Sequence, residues 1–158
     1  MKFIPLTQGL FAWVDDADFE RVSMHKWYPV KNKTTVYAYS RLDKGKRGKQ
    51  VPMHVFIMGT KVDHKDHDGL NNQRCNLRPA TQGQNRCNST KTTSKTSSKF
   101  KGVCWHKKAQ RWMASIKLHS KPIYIGLFMV EYDAARAYDA KARELFGEFA
   151  NTNFKEVL

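Results

Sequence analysis

The chain has 158 residues and a formal charge of +14 at neutral pH, from 28 Lys and Arg against 14 Asp and Glu. That length holds one domain or two small ones, and 41% hydrophobic with 12% aromatic residues is enough for packed cores. The charge argues against an enzyme for small neutral molecules and for a polyanionic partner, because phosphate contacts release counterions.

Along the chain, residues 2–6 and 10–14 predict two strands joined by a Gln8-Gly9 turn. Residues 15–22 predict a short acidic helix, and residues 27–30 and 35–41 a hairpin. The run from Lys44 to Lys49 predicts a basic turn, either solvated or clamping phosphate. Residues 51–58 predict an apolar helix beginning near Pro52, with His54 in a structural role. Residues 81–88 predict another helix, with Thr81 as N-cap after Pro79-Ala80. Residues 89–98 are Ser, Thr and Lys alone. Such a stretch buries nothing to offset its ordering entropy, so a flexible cationic linker is expected, its ends roughly 17 Å apart. Residues 102–105, 111–118 and 123–128 predict three strands, and residues 130–146 a helix. Ala134, Tyr138, Ala142 and Leu145 share one face of that helix. Glu131 and Asp133 sit in its first turn, where acids suit the dipole, and Gly147 is a natural stop. The expected class is α+β: a first module over residues 1–88, a linker over 89–98, and a second module over 99–158 with a three-stranded antiparallel sheet packed on one helix.

The charge is unevenly placed. From Gly69 to Val130 there is no Asp or Glu, against twelve Lys or Arg. Solubility charge is normally mixed in sign, so a one-sign block points to nucleic acid. Cys75, Cys87 and Cys104 form no CxxC pair, which weighs against a zinc ribbon. They also fit no disulfide framework, so a reducing compartment is expected. No apolar run is long enough for a membrane span. No signal-peptide core precedes Asp15 and Asp16.

The densest chemistry lies in Asp63-His64, then Asn76-Leu77-Arg78, then Asn85. Phosphodiester hydrolysis needs an activated water, a cation on the phosphoryl oxygens and help for the departing 3′ oxygen. One Mg²⁺ (or Mn²⁺) can do the last two jobs and wants a few hard oxygen ligands. An Asp carboxylate and an Asn carbonyl suit it, so Asp63 and Asn85 are the candidate ligands. A His that is neutral near pH 7 can take the water's proton, which makes His64 the candidate base. Neighbours in a strand face opposite ways, so a kink or loop at Asp63-His64 is expected. Asn76 can donate and accept at once; its expected job is to tie the loop and hold the His64 ring. Asp66, Asp68 and Gly69 hint at a calcium loop. That pattern wants an acid where His64 stands and Glu where Cys75 stands. His67 reads as a solvated turn residue.

This set resembles the HNH endonuclease family with the ββα-metal fold. The fuller string Asp63-His64, Asp66, Asp68-Gly69-Leu70 and Asn72 is similar to the zinc-free homing endonucleases of phages and introns. Ile4 to Gly9, Lys26-Trp27-Tyr28 and Met53-His54 resemble their leader, so the likeness covers about residues 2–88. The resemblance implies metal ligation by Asp63 and Asn85, His64 as general base and Asn76 as its orienter. Gln73 stands where many relatives carry a basic residue, which would remove a phosphate contact.

Gly102-Val103, Trp105, Arg111-Trp112, Ile123 to Gly126, Phe128, Ala134 to Asp139 and Asn153-Phe154 resemble the plant ethylene-response-factor (APETALA-type) DNA-binding domain, over about residues 98–154. That resemblance implies a sheet entering the major groove, whose width admits a β-ribbon, with the helix behind. The implied contacts are Lys101, Trp105, Lys107, Arg111, Trp112, Lys117 and Tyr124, with Arg111 reading guanine and most lysines meeting phosphate. Core packing is the alternative for Trp105 and Trp112, since alternation sends only one of Arg111 and Trp112 outward. Cys104 replaces a frequent arginine, so base preference should differ. Val130 replaces a polar helix cap, at about 1 kcal/mol.

The expected function is a site-specific, Mg²⁺- or Mn²⁺-dependent endonuclease of homing type, nicking or cutting double-stranded DNA. It is expected to work as a monomer or weak dimer, away from membranes, in the cytoplasm of a bacterial host or phage-infected cell. The alternative is a non-catalytic, sequence-specific DNA-binding regulator with a relict nuclease fold. The presence of all four residues Asp63, His64, Asn76 and Asn85 argues against that decay.

Overall fold

The computed structural model describes residues 1–32, 34–42, 48–89 and 96–155. It divides into two compact units, Met1–Thr81 and Gln82–Leu158. Most of the expected basic turn after Asp43, and residues 90–95 of the expected linker, lie outside the described residues. The last linker residues are described, and their hydroxyls bind backbone: Ser97 Oγ accepts from Trp105 N at 2.8 Å and Ser98 Oγ from Phe100 N at 3.0 Å.

In the first unit, β1 (Lys2–Pro5) pairs antiparallel with β2 (Phe11–Val14). The turn between them carries Gln8 and Gly9 at positive φ. Alternation sends Ile4, Ala12 and Val14 inward and leaves Phe3, Phe11 and Trp13 exposed. Helix α1 (Asp16–Ser23) follows, and its Val22 carbonyl accepts a 2.8 Å bond from the buried Trp27 indole. Strands β3 (Tyr28–Lys31), β4 (Val36–Arg41) and β5 (Gln50–Pro52) form one antiparallel sheet. The short β5 was not expected; the helix predicted over 51–58 is α2 (Met53–Met58), which starts only after Pro52. It stops at Gly59, whose left-handed backbone lets its N–H reach Val55 O at 2.8 Å. A last hairpin pairs β6 (Val62–His64) with β7 (Leu77–Pro79). Ile4, Val14, Val22, Trp27, Met53 and Ile57 form a core that also takes in Val62 and Leu77, so the hairpin is rooted in it.

The second unit begins with α3 (Gln82–Cys87), a helix with no buried residue. Strands β8 (Val103–His106), β9 (Arg111–Leu118) and β10 (Lys121–Phe128) form an antiparallel sheet with β9 central, and α4 (Glu131–Phe146) packs across it. Val103, Ala114, Ile116, Ala134, Ala135, Tyr138 and Ala142 fill the space between. Helix and sheet touch so closely at Gly102 that a Cβ there would lie 2.0 Å from the Tyr138 ring. Val130 caps α4 without a side-chain bond, and Gly147 ends it at positive φ. The architecture is α+β.

Candidate active site and nucleic-acid interface

The β6–β7 hairpin is covered on both faces, so it needs no kink to enclose adjacent polar residues: Asp63 is 4% and His64 6% exposed. Asp63 stands opposite Arg78 in the register. Arg78 Nε and Nη2 donate to Asp63 Oδ2 at 3.1 and 2.8 Å. A buried carboxylate needs such a partner.

The His64 ring packs on two others. Its centroid lies 4.8 Å from His54, edge to face, and 5.6 Å from Tyr37. Burial holds His64 below the ordinary imidazole value, against the opposing pull of the polar Asn72 side chain and of the charges of Asp66, Asp63 and Asp68. Burial pushes His54 further, to about 3, with His64 adding to the effect. Desolvation also raises the Tyr37 phenol. Both imidazoles are therefore neutral at pH 7, the state a proton acceptor needs.

The loop from Lys65 to Asn76 is tied by its own side chains. Asn76 Nδ2 donates to Asp66 Oδ1 at 2.9 Å and Asn71 O at 2.8 Å, while Asn76 Oδ1 accepts from Asp66 N at 3.1 Å. Asp66 Oδ2 accepts from Asn71 Nδ2 at 2.7 Å. Asn76 thus spends its carboxamide on the loop, while the side chain that acts on the His64 imidazole is that of Asn72, which is fully buried and donates to Leu70 O at 3.0 Å. His67 occupies a turn at positive φ. Gly69 passes under Tyr37 and Val36, where a Cβ would lie 2.4 Å from Val36 O. Helix α1 grips the far end of the loop: Arg74 Nε and Nη2 reach the buried Asp18 carboxylate at 2.7 and 2.8 Å. Asp15 accepts from Arg74 N at 2.7 Å and from Gln73 Nε2 at 3.4 Å. Asn85 lies on the exposed helix α3 of the second unit.

In that unit, sheet parity decides which residues face away from α4. Trp112, Ala114 and Ile116 point toward the helix, and Trp105 stands opposite Trp112, their rings 5.1 Å apart. Trp105 and Trp112, expected on DNA, therefore belong to the helix side, where Trp112 packs with the core. Arg111 and Lys117 lie on the other face and are exposed, as is Tyr124, opposite Ser115. Cys104, His106 and Ser115 share that face by register. Lys107 is exposed in the β8–β9 turn. Lys101, also expected on DNA, is turned elsewhere: its Nζ donates to Cys87 O at 2.8 Å and Ser89 O at 2.7 Å. Burial lowers its ammonium to about 8.

The chain is 34% identical over 158 residues to an uncharacterised HNH endonuclease of Acanthamoeba polyphaga mimivirus, an alignment that covers 92% of the chain and 76% of that protein. The chain belongs to the HNH endonuclease family. Two further relatives of this HNH chain are the APETALA2-like protein 2 of Oryza sativa subspecies indica and of subspecies japonica. Each is 51% identical over 61 residues, which is 37% of the chain and 14% of the rice protein. No family model matches. No helix among the described residues is long and apolar enough to cross a membrane.

Endonucleases of the HNH family imply a divalent ion. Among the described residues no group of three or more His, Cys, Asp or Glu is gathered to hold a metal. A Mg²⁺-like ion asks for less, since it takes one or two protein oxygens and keeps several waters. Asp63 and Asn85 supply donors of that kind. A carboxylate has about four lone-pair positions, so pairing with Arg78 and metal ligation are compatible. Sequence reasoning missed Asn72 and Arg78 as individual site residues, although both stood inside the quoted motif. The signal for Arg78 was its place opposite an acid in a short hairpin.

Proposed function

We propose that this HNH chain is a site-specific DNA endonuclease of homing type, with residues 1–88 cutting and residues 99–158 recognising duplex DNA. The observation that carries the reading is His64, an imidazole kept neutral by burial and set beside the Asp63 carboxylate. His64 takes the proton from the water that attacks phosphorus. The bond from phosphorus to the 3′ oxygen breaks, leaving a 5′-phosphate and a 3′-hydroxyl that takes a proton from solvent. Asp63 and Asn85 are the residues that would hold a Mg²⁺ or Mn²⁺ ion, and the ion would supply charge stabilisation to the phosphoryl and departing oxygens. Arg78 fixes the Asp63 carboxylate, Asn72 orients His64, and Asn76 keeps the intervening loop closed. Arg111 and Lys117, with Tyr124 and Lys107, supply the face that meets the major groove. One such site per chain cuts one strand per visit, so a double-strand break needs a second copy or a second visit.

The test is plasmid cleavage with and without Mg²⁺, comparing the parent chain with His64→Ala. Loss of a general base lowers the rate about 10²–10⁴-fold, while DNA affinity stays within about twofold of the parent. Cutting by His64→Ala at the parental rate would refute the assignment. Failure of the parent to cut any duplex library would favour the regulator reading.

A further inference from the structure

Helix α2 carries a ring that the hydrophobic core does not use. Met53 and Ile57 of α2 are buried in the core of the first unit, with Phe56 and Met58 packed against it. His54 is not among them. Its imidazole lies instead on two rings from other elements of Met1–Thr81, Tyr37 of β4 and His64 of β6. The His54 and His64 centroids are 4.8 Å apart with their planes at 86°, so one ring sets its edge on the other's face. Tyr37 completes the group, 5.6 Å from His54 and 5.6 Å from His64. Each of the three rings packs on the other two.

Other contacts fix both neighbours of His64. Met53 and Ile57 seat α2, Arg21 Nη2 donates to Ile57 O at 3.2 Å, and Gly59 closes the helix end. Tyr37 is paired with Val30 in its sheet. It also bears on the site loop at Gly69, where a Cβ would lie 2.5 Å from Tyr37 Cδ1, and Thr35 Oγ1 accepts from Gly69 N at 3.1 Å. An imidazole turns about a broad two-fold torsion, whereas edge-to-face contact has a preferred geometry. A polar contact at one nitrogen fixes a point of the ring; a second ring against its flank fixes the plane. His54 acts here through its ring, since His54 Nδ1 is buried without a hydrogen-bond partner among the described residues. Burial keeps His54 uncharged at pH 7, so it sets no cation beside the base.

We propose that His54 is a positioning residue for His64: its ring, braced by Tyr37, holds the plane of the His64 imidazole in the orientation that takes a proton from water. This role rests on His64 being the general base of the nuclease reading and needs no metal ligand. A base must lie within hydrogen-bond reach of the proton it takes, and misplacing a reacting group by about 1 Å can cost about 10²-fold in rate.

The experiment uses the full chain and a duplex that the chain selects from a random library. Single-turnover cleavage with Mg²⁺ is set against DNA affinity, measured by anisotropy without metal. The His64 ring protons are followed by NMR of the histidine-labelled chain, with His64→Ala assigning them. His54→Gln removes the ring and stays polar; His54→Phe keeps a ring and removes the nitrogens. His54→Gln is expected to cut about tenfold or more slowly while its DNA affinity stays within about twofold of the parent. Its His64 ring signals should broaden or double as the plane is released. His54→Phe should cut within about threefold of the parent and keep one set of His64 signals. Tyr37→Leu should fall between the two and serves if His54→Gln does not fold. Parental rates in both His54→Gln and Tyr37→Leu overturn the inference alone, as does a slow His54→Gln whose His64 signals stay sharp and single. His54→Phe as slow as His54→Gln also overturns it, by marking a role for the nitrogens, and so does a parallel fall in DNA affinity, by marking a contact with the duplex. A parent chain that cuts no duplex, or whose His64→Ala variant cuts at the parental rate, overturns the nuclease reading and the inference with it.

Discussion

Replacing Arg78 with Met keeps most of its volume and removes the charge opposite Asp63. The two side chains are 10% and 5% exposed, so water cannot readily take the place of the guanidinium. Removing one partner of a buried pair costs about 3–5 kcal/mol, because an uncompensated charge stays inside. The slight exposure of Arg78 argues for the lower end, about 3 kcal/mol, which is more than about 100-fold in the opening equilibrium of the hairpin. Hydrogen exchange of the β6 and β7 amides reads that equilibrium locally, without assuming that both units unfold together. The double variant Asp63→Asn with Arg78→Met leaves no buried charge, and coupling between contacting partners should restore more than half of the loss. A loss below about 1 kcal/mol in Arg78→Met alone, or a double variant no better than the single, would refute the account of a buried, mutually dependent pair.

Acid should weaken the first unit through its histidines. Both His54 and His64 are lowered on folding, so the unfolded chain binds more protons below about pH 6.5. The stability they contribute is complete above that pH and falls as the pH drops; for His54 the loss runs toward about 3, at about 1.4 kcal/mol per pH unit, and His64 adds to it in the same direction. Urea midpoints at pH 7 and 5 should fall accordingly, with His54→Phe removing one proton from the slope; equal slopes would contradict this. Gly69→Ala places a Cβ 2.4 Å from Val36 O and 2.5 Å from the Tyr37 ring, so the site loop must shift. It should cost about 1–3 kcal/mol and slow cleavage, and an unchanged thermal transition would argue against that close approach. Arg111→Ala and Lys117→Ala should each lower DNA affinity and reduce the salt slope by about 1 without affecting stability. Trp112→Ala should instead destabilise the second unit by about 3 kcal/mol. A salt series by anisotropy separates the two behaviours, and reversed results would mean that the sheet faces the other way.

The long periodic segments were legible because their burial pattern is local. The alternation in Phe11 to Val14 and the Ala134, Tyr138, Ala142 face of α4 needed no tertiary knowledge. The strand β5 was not legible: three residues before a helix carry too little pattern, and it is the partner strand β4 that makes them a strand. The candidate site was legible only as a set of residue types, Asp63, His64, Asn76 and Asn85, that stand in one motif. Its internal partners were not. Asn72 and Asn76 offer the same carboxamide, and only the loop path decides that Asn76 closes the loop on Asp66 and Asn71 while Asn72 is sealed inside on Leu70 O. Sheet parity likewise cannot be read from Arg111-Trp112 alone; it needs α4 on one side to say which face is interior.

Asp18, Asp63 and Asp139 are among the few acids in this chain, and all three are sealed inside. The exterior is therefore more cationic in character than the overall ratio of basic to acidic residues conveys. Copies in dilute buffer should hold one another at a distance and collect nucleic acid from a cell extract. That loose attraction reaches farther than any single contact, so the molecule can be brought near a duplex long before any side chain touches a base.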